Sequence, residues 1–290
     1  MVHMLSVDVE EYFQVEAFRG VVDRKDWDSF PVRVNDNVHR ILDLFDSYGV
    51  KATFFFLGWV AARFPELVRE TARRGHELAC HSFWHRTVFS LDPAEFRSDT
   101  RRAREVIEQA AGCKVIGYRA PSWSVTRQSL WALDILAEEG FSYDSSIFPI
   151  HHDVYGIPGA KRFANLWSCS SGAQLPEIPP TTVQLGPMTL PAAGGGYLRL
   201  LPMAFTRWAF QQMENRERQP VVVYFHPWEI DPQQPRIRGC SLRSKLRHYT
   251  NLEKMEERLR FLLGKYRFQP MKNFLGALQP QLPETAALGS

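Results

Sequence analysis

Short apolar runs alternate with amphipathic stretches along most of this chain, and no other feature restricts its fold as strongly. Residues 51–58 and 221–225 have the length and composition of buried strands, whereas residues 35–48 and 93–111 repeat apolar side chains with helical spacing. Parallel strands need crossover connections of about helix length, so this alternation predicts a parallel sheet covered by helices. We therefore predict an α/β fold, and among α/β folds a barrel.

The pattern is regular as far as residue 150 and looser after it. Irregular segments are expected at 13–31, in the Pro- and Arg-rich stretch 231–247, and in a frayed tail after Gln279. The 290 residues contain neither an internal repeat nor a linker, which predicts a single domain over residues 1–290. Further strands are predicted at 4–7, 77–80, 115–118, 175–179 and 182–185, and further helices at 61–74, 129–139, 201–214 and 251–265.

Polar side chains follow the carboxyl ends of the predicted strands. Asp8, Glu10, His81, Arg119 and Asp144 all stand where an apolar run stops. In parallel barrels these strand ends meet on one face, where residues from several strands form the active site. We therefore expect these side chains to lie close together.

The two histidines that follow strand 77–80 are the strongest indication of chemistry. His81 and His85 are predicted to lie in a loop or a helical turn, and a spacing of four puts two imidazoles on one face of such a turn. Two imidazoles and one carboxylate suit zinc and neighbouring metals, and three protein ligands leave a position open. Asp8 and Glu10 project from the same face of an extended chain, so either can supply the carboxylate.

Other residues at the strand ends complete a hydrolytic set. The carboxylate that does not bind the metal can act as a general base on water, and Arg119 would keep it ionised. His226, which follows the run 221–225, could act as a general acid toward a leaving nitrogen or oxygen. Metal ligands, base and acid together predict a metal-dependent hydrolase.

Composition excludes several other classes of protein. A net charge of +3 is too small to predict binding to nucleic acid or to a membrane surface. The four cysteines are widely spaced and form no zinc-binding pattern, which is typical of free thiols. No run reaches the ~18 apolar residues of a membrane span. The first residues do not resemble a signal peptide, so we expect a cytoplasmic protein.

Together these sites resemble the five motifs of the polysaccharide deacetylases, the NodB-homology group of carbohydrate esterase family four. Order, spacing and strand context agree from about residue 4 to residue 229. The resemblance implies a distorted (β/α)7 barrel of the NodB-homology type, here with extra C-terminal elements. The matching segments are Ser6-Val7-Asp8-Val9-Glu10, His81 with His85, Arg119-Ala120-Pro121, Asp144-Ser145-Ser146, and His226 after Val223-Tyr224-Phe225.

The resemblance also implies a role for each residue. Asp8 would be the general base and His226 the general acid, with Arg119 tuning the base and Asp144 tuning the acid. The implied metal ligands are Glu10, His81 and His85. The implied substrate-binding residues are Pro121, Ser122 and Trp123, and the backbone N–H of Ser122 would stabilise the oxyanion.

One motif departs from the family pattern, in which two adjacent aspartates act as base and then ligand. Here Val9 follows Asp8, and the next carboxylate is Glu10. Some members place the ligand two residues after the base, and by that analogy Glu10 binds the metal. The opposite assignment, with Asp8 as the ligand, stays open.

A wider resemblance concerns residues 145–149, 155–158 and 195–197 and the C-terminal helix. These segments resemble the deacetylases encoded with bacterial exopolysaccharide and protein-sorting (PEP-CTERM) loci, with a subgroup-specific C-terminal extension from about residue 230. The resemblance implies an enzyme that removes N-acetyl groups from an amino sugar of an exopolysaccharide or its precursor, releasing acetate. The implied cofactor is a divalent metal, Zn²⁺ before Co²⁺ or Ni²⁺. It implies an N-acetylated carbohydrate partner and leaves the oligomeric state open.

Two alternatives use the same fold. One is a hydrolase of small cyclic amides or ureides, similar to allantoinase-like relatives that often lose metal ligands. The other is a non-catalytic barrel that binds carbohydrate, which would need none of the residues at the strand ends. The intact pair of His81 and His85 favours the deacetylase over both.

Overall fold

A computed structural model describes residues 1–152 and 155–278 of the chain. The predicted tail after Gln279 lies outside the described residues. The strands are β1 (Val2–Val9), β2 (Thr53–Phe56), β3 (Glu77–Cys80), β4 (Gly117–Tyr118), β5 (Tyr143–Asp144), β6 (Asn165–Ser168), β7 (Gln174–Glu177), β8 (Thr182–Leu185), β9 (Met188–Pro191), β10 (Val222–Phe225) and β11 (Arg267–Gln269). The α-helices are α1 (Val34–Ser47), α2 (Gly58–Arg63), α3 (Pro65–Arg73), α4 (Pro93–Ala111), α5 (Trp131–Glu138), α6 (Gly195–Leu200), α7 (Met203–Gln211), α8 (Leu242–Tyr249) and α9 (Leu252–Lys265).

Seven parallel strands form the main sheet, in the order β10-β1-β2-β3-β4-β5-β7. Strand β6 pairs antiparallel with β7, β11 adds to β1, and β8 with β9 forms a separate hairpin. Residues just before and just after the β8–β9 hairpin bridge the gap between β7 and β10. Tyr224 N–H donates to the Ala193 carbonyl, and Val222 N–H donates to Thr181 Oγ1. The predicted α/β barrel is confirmed, and its closure through these few bonds makes it distorted.

The central strands are buried on both faces, because helices cover the sheet outside and side chains fill the barrel inside. Every residue of β2, β3 and β10 is buried, as are all residues of β1 after Val2. The sequence therefore shows short continuous apolar runs at these strands, with few alternating polar residues.

The helix predicted at 61–74 is two helices. Phe64 leaves the helical conformation with a φ of −129° and ψ of 62°, and Pro65 begins α3. Proline favours the first turn because it has no N–H to donate, but it cannot continue the preceding helix. The apolar spacing is similar across the break, so the pattern alone gave one helix.

The region after residue 200 differs most from prediction. Helix α7 passes into a π-helical turn over Gln212–Glu217, and Arg218 ends it in the left-handed conformation. The stretch 231–247, predicted as irregular, contains most of α8.

Strands β6, β9 and β11 were not predicted, since they are three or four residues long and largely exposed or half-buried.

Within the described residues, no helix is both long and apolar enough to cross a membrane.

Burial of His76 makes the stability of the folded protein depend on pH. Its ring packs against Phe45 and Phe54, its Nδ1 accepts the Ala52 N–H at 3.2 Å, and burial lowers its pKa to about 4. The folded protein therefore keeps His76 neutral while the unfolded chain protonates it below about pH 6.5. Stability is lost as pH falls from 6.5 toward 4.

We expect the free energy of unfolding of the wild type to fall by about 3 kcal/mol more than that of His76→Asn between pH 7 and pH 4. Asparagine can still accept the Ala52 N–H but does not titrate. Urea unfolding at a series of pH values measures the difference. A difference that stays constant with pH would contradict the assignment of neutral His76.

Candidate active site

A cavity of about 420 Å³ opens where the carboxyl ends of the strands meet. Asp8 and Glu10 at the end of β1, His81 after β3 and His226 after β10 line it together. Of the strand-end residues expected to lie close together, Asp8, Glu10 and His81 line this cavity, and Arg119 donates to Asp8 at 2.6 Å.

Glu10, His81 and His85 form the tightest group of this cavity. Their ligand atoms lie within 4.8 Å of one another, and all three residues are buried. His85 Nε2 is 2.5 Å from Glu10 Oε2. The histidines lie in a loop and not in a helical turn, because Ser82 and His85 have left-handed φ values of 62° and 51°.

Two side chains hold this loop in its shape. Asp99 Oδ2, on α4, accepts the Phe83 N–H at 2.7 Å, and Ser82 Oγ accepts the His85 N–H at 3.1 Å. Left-handed backbone is costly for residues other than glycine, so such contacts are needed to keep both imidazoles on the cavity.

His81 and Glu10 are in the protonation states that bind a divalent metal. His81 Nδ1 lies 2.8 Å from the Arg119 carbonyl, to which it can only donate, and this leaves Nε2 with a free lone pair. Burial lowers the pKa of His81 to about 4. Burial alone would raise the pKa of Glu10, but the neighbouring His85 and His226 lower it well below its usual range.

The buried carboxylate of Glu10 also has spare acceptor capacity. Trp228 Nε1–H donates to Oε1 at 3.2 Å. Oε2 lies 2.5 Å from His85 Nε2, but no well-aligned hydrogen bond reaches it from the described residues. A buried carboxylate oxygen that faces an imidazole nitrogen in this way is favourable when both atoms bind one cation. The donor set therefore fits a zinc-type ion.

Asp8 sits beside this group and pairs with a different partner. Arg119 Nη1 donates to Asp8 Oδ1 at 2.6 Å and to Ser6 Oγ at 2.8 Å, and its Nη2 donates to Ser145 Oγ at 3.0 Å. The guanidinium is fully buried and lies over the Phe55 ring at 4.0 Å. Asp8 is thereby fixed with one oxygen toward Arg119.

The His226 ring lies near the carboxylates of both Asp8 and Glu10. Its Nε2 lies 4.0 Å from Asp8 Oδ2 and 3.7 Å from Glu10 Oε1, and its Nδ1 lies 3.0 Å from Glu229 Oε2. Burial alone would lower the pKa of His226, but the carboxylates of Glu10, Glu229 and Asp8 raise it to about 9. The ring is therefore a protonated imidazolium near neutral pH.

A buried ion pair holds the partner of His226. Arg199 Nε donates to Glu229 Oε1 at 2.6 Å, and Arg199 also donates to the backbone carbonyls of Arg247 and Thr250. Burial alone would raise the pKa of Glu229, but Arg199 and His226 lower it to about 2. Glu229 stays ionised and orients the imidazole.

Asp144, predicted to tune the acid, pairs with Ser146 and Glu177. Its Oδ1 accepts from Ser146 Oγ at 2.5 Å, and it shares a hydrogen bond with the carboxyl of Glu177. Burial raises the pKa of both carboxyls, so the pair shares a proton. The hydrogen-bond partner of the His226 ring is Glu229. The signal was a glutamate three residues after His226, at the start of the short 3₁₀ helix Pro227–Ile230.

The predicted substrate-binding turn reaches the cavity only in part. Ser122 and the largely buried Trp123 line the cavity, and both have left-handed φ values, whereas Pro121 is buried outside the lining. Trp123 packs edge-to-face against Tyr224 with ring centroids 4.7 Å apart. Only an edge of its indole is left for a ligand.

Residues from the C-terminal half also line the cavity. Gly195, Gly196 and Tyr197 do so from α6, and Arg247 and His248 from α8. The backbone approaches Tyr224 closely at Gly194, where a Cβ would meet the Tyr224 ring at 2.1 Å. Arg247 and His248 lie in a stretch without strand or helix signal, so sequence reasoning missed them.

Two family models match the chain. The model of the polysaccharide deacetylases matches residues 26–140, and a model of a domain of unknown function, DUF3473, matches residues 145–276.

Curated relatives match the first half of the chain. The peptidoglycan-N-acetylglucosamine deacetylase of Bacillus cereus is 28% identical over 135 residues, which are 42% of this chain and 48% of that protein. The chitooligosaccharide deacetylase of Bradyrhizobium sp. is 29% identical over 130 residues, 43% of this chain and 55% of that one. The chain thus spans about half the length of these relatives.

A solved structure from Mycobacterium smegmatis, assigned to the polysaccharide deacetylases, has a TM-score of 0.62 at 21% identity. The match covers 96% of this chain and 92% of that one, and shows a shared fold over nearly the whole chain. Residues 26–140 thus match the polysaccharide deacetylase family, and the named relatives and the shared fold agree with that match.

Proposed function

We propose that this protein is a metal-dependent N-deacetylase that removes acetyl groups from an amino sugar of a bacterial exopolysaccharide or its precursor. The observation that carries the proposal is the buried group of Glu10, His81 and His85 with Asp8 and His226 on either side. Neither a structural metal site nor a sugar-binding surface needs a carboxylate and an imidazolium placed in this way.

Glu10, His81 and His85 would hold the metal, with zinc preferred by two imidazoles and one carboxylate. When bound, the ion supplies Lewis acidity toward the amide carbonyl and lowers the pKa of water. Trp228, through its bond to Glu10, and the Arg119 carbonyl, through its bond to His81, orient two of the three ligands.

Asp8 is the proposed general base. Arg119 fixes one of its oxygens, and the other faces the cavity between the metal ligands and His226. Asp8 accepts the proton of the attacking water, and the hydrogen bond from the buried guanidinium holds the carboxylate in position for this transfer.

His226 is the proposed general acid. It donates its Nε2 proton to the departing amine, while Glu229 holds the other ring nitrogen. The products are acetate and the free amino sugar. Ser122, at the edge of the cavity, is the proposed backbone N–H donor to the oxyanion.

The first experiment measures acetate release from chitooligosaccharides and a panel of N-acetylhexosamines, with and without a chelator. We expect release that stops with the chelator and returns with zinc, and His81→Ala should lower it at least about a thousandfold. Hydrolysis of a cyclic amide in the presence of the chelator would instead support the ureide hydrolase. Sugar binding without release, unchanged in Asp8→Ala, would support a non-catalytic barrel.

A second experiment separates the two acidic residues of the first motif by metal affinity. Glu10→Gln should weaken zinc binding by at least about a hundredfold, because it removes a charged ligand. Glu11→Gln is the matched control, since the Glu11 carboxylate accepts the Arg33 and Val34 N–H groups at the start of α1. Competition with a chromogenic chelator measures the affinity.

Asp8→Asn should abolish acetate release while leaving zinc affinity within about threefold of the wild type. If Asp8→Asn lost the metal and Glu10→Gln kept it, the assignments of base and ligand would be reversed.

A third experiment tests the partner of the acid. Glu229→Gln should lower kcat by about 10- to 100-fold with little change in KM, since the Glu229 carboxylate acts only in the step in which His226 donates its proton. Because the Glu229 carboxylate raises the pKa of His226, its removal should move the alkaline limb of the pH profile to lower pH. Asp144→Asn is the comparison. An alkaline limb that moved in Asp144→Asn and stayed in Glu229→Gln would return the role to Asp144.

A further inference from the structure

Helix α8 presents leucines to solvent and packs a histidine inward. Leu242 and Leu246, one turn apart, are 73% and 59% exposed and are the two most exposed large apolar side chains of the described chain. On the opposite face His248 is buried, stacks on Trp228 at 4.1 Å and lies 2.7 Å from Gln234 Oε1. A soluble helix normally turns its apolar stripe inward, so this helix has an apolar face without a partner in the chain.

Positive charge surrounds the two leucines. From residue 232 to residue 252 the sequence contains no Asp or Glu and five basic residues, all of them exposed: Arg236, Arg238, Arg243, Lys245 and Arg247. Arg236, Arg238 and Lys245 line a depression between the 236–239 loop and α8, and Leu246 lies at its edge. This local charge is larger than the net charge of +3 for the whole chain.

A second exposed apolar pair shows that the combination is specific. Leu185 and Met188, on either side of the β8–β9 turn, are 50% and 54% exposed. Residues 182–191 contain no charged side chain at all. Exposed apolar side chains therefore occur on this protein without basic residues among their neighbours in sequence, whereas those of α8 lie within a basic segment.

The position of α8 relates this surface to the cavity. Arg247 and His248 belong to the helix and line the catalytic cavity, and Phe18 packs on the His248 ring at 4.6 Å. Helix α8 therefore lies beside the cavity, with Arg247 and His248 lining it and the leucines on the face opposite His248.

We propose that Leu242 and Leu246, with Arg236, Arg238 and Lys245, form a docking surface for a membrane rich in anionic lipids. The basic side chains meet headgroup phosphates and the leucines enter the boundary between headgroups and acyl chains. An acidic glycan would satisfy the charges equally well but would leave the leucines in water. Docking in this way holds the cavity mouth at the lipid surface.

Sedimentation with vesicles tests the proposal on the full chain. The protein should sediment with vesicles of phosphatidylcholine mixed with phosphatidylglycerol and stay in solution with phosphatidylcholine alone. Arg238→Glu with Lys245→Glu should weaken partitioning about thirtyfold or more, from about 1 kcal/mol for each basic residue. Leu242→Ser with Leu246→Ser should weaken it about tenfold or more.

Two matched variants control for nonspecific effects. Leu185→Ser with Met188→Ser removes another exposed apolar pair, and Arg73→Glu with Lys114→Glu reverses two exposed basic residues elsewhere. Both should sediment with the anionic vesicles as the wild type does. Because all the substituted side chains are exposed, each variant should keep the thermal unfolding midpoint of the wild type, and acetate release from soluble substrates reports the catalytic site separately.

Three results would overturn the proposal. The first is equal sedimentation with neutral and anionic vesicles, and the second is an equal loss in the control variants. The third is a leucine variant that sediments as the wild type does while a soluble acidic polysaccharide competes for the protein. This last result would make the surface a polyanion site and not a lipid site.

Discussion

The buried guanidinium of Arg119 is the interaction on which the site depends. It joins the end of β1, through Asp8 and Ser6, to the segment after β5, through Ser145, and its own carbonyl receives the His81 Nδ1–H. A charge buried this deeply is tolerated only with a full set of partners, and loss of one partner of such a pair costs about 3–5 kcal/mol. The same residue therefore fixes the position of the proposed base, Asp8, and the tautomer of a proposed metal ligand, His81.

The acid side of the cavity depends on a part of the chain outside the deacetylase match. Glu229 and Arg199, which orient His226, lie within residues 145–276, the region that matches the domain of unknown function. Strand β1, which supplies Asp8 and Glu10, lies before residue 26, where the deacetylase match begins. The site is therefore assembled from the whole chain. The C-terminal half contributes His226, the proposed acid, and the two residues that orient it.

How much the sequence predicts depends on the range of the interaction. The strands and the grouping of Asp8, His81 and His226 follow from local apolar runs, because parallel strands bring their carboxyl ends together whatever the loops do. The loop conformation of His85 and the pairing of Glu229 with Arg199 do not follow, since they depend on contacts between residues 30 or more apart or on left-handed backbone in Ser82. Polar residues in a continuous motif are visible in sequence, whereas their partners are visible only in three dimensions.

The net charge of the whole chain does not reveal the basic surface around α8. A net charge of +3 gives no reason to expect a membrane surface, yet it is the sum of an acidic and basic mixture over most of the chain and a wholly basic segment around α8. Electrostatic attraction to a surface falls off within a Debye length of about 10 Å, so the charge near the surface matters and the total does not. Since Arg247 and His248 join this segment to the cavity, a substrate carried by an anionic lipid surface would reach the active site without leaving that surface.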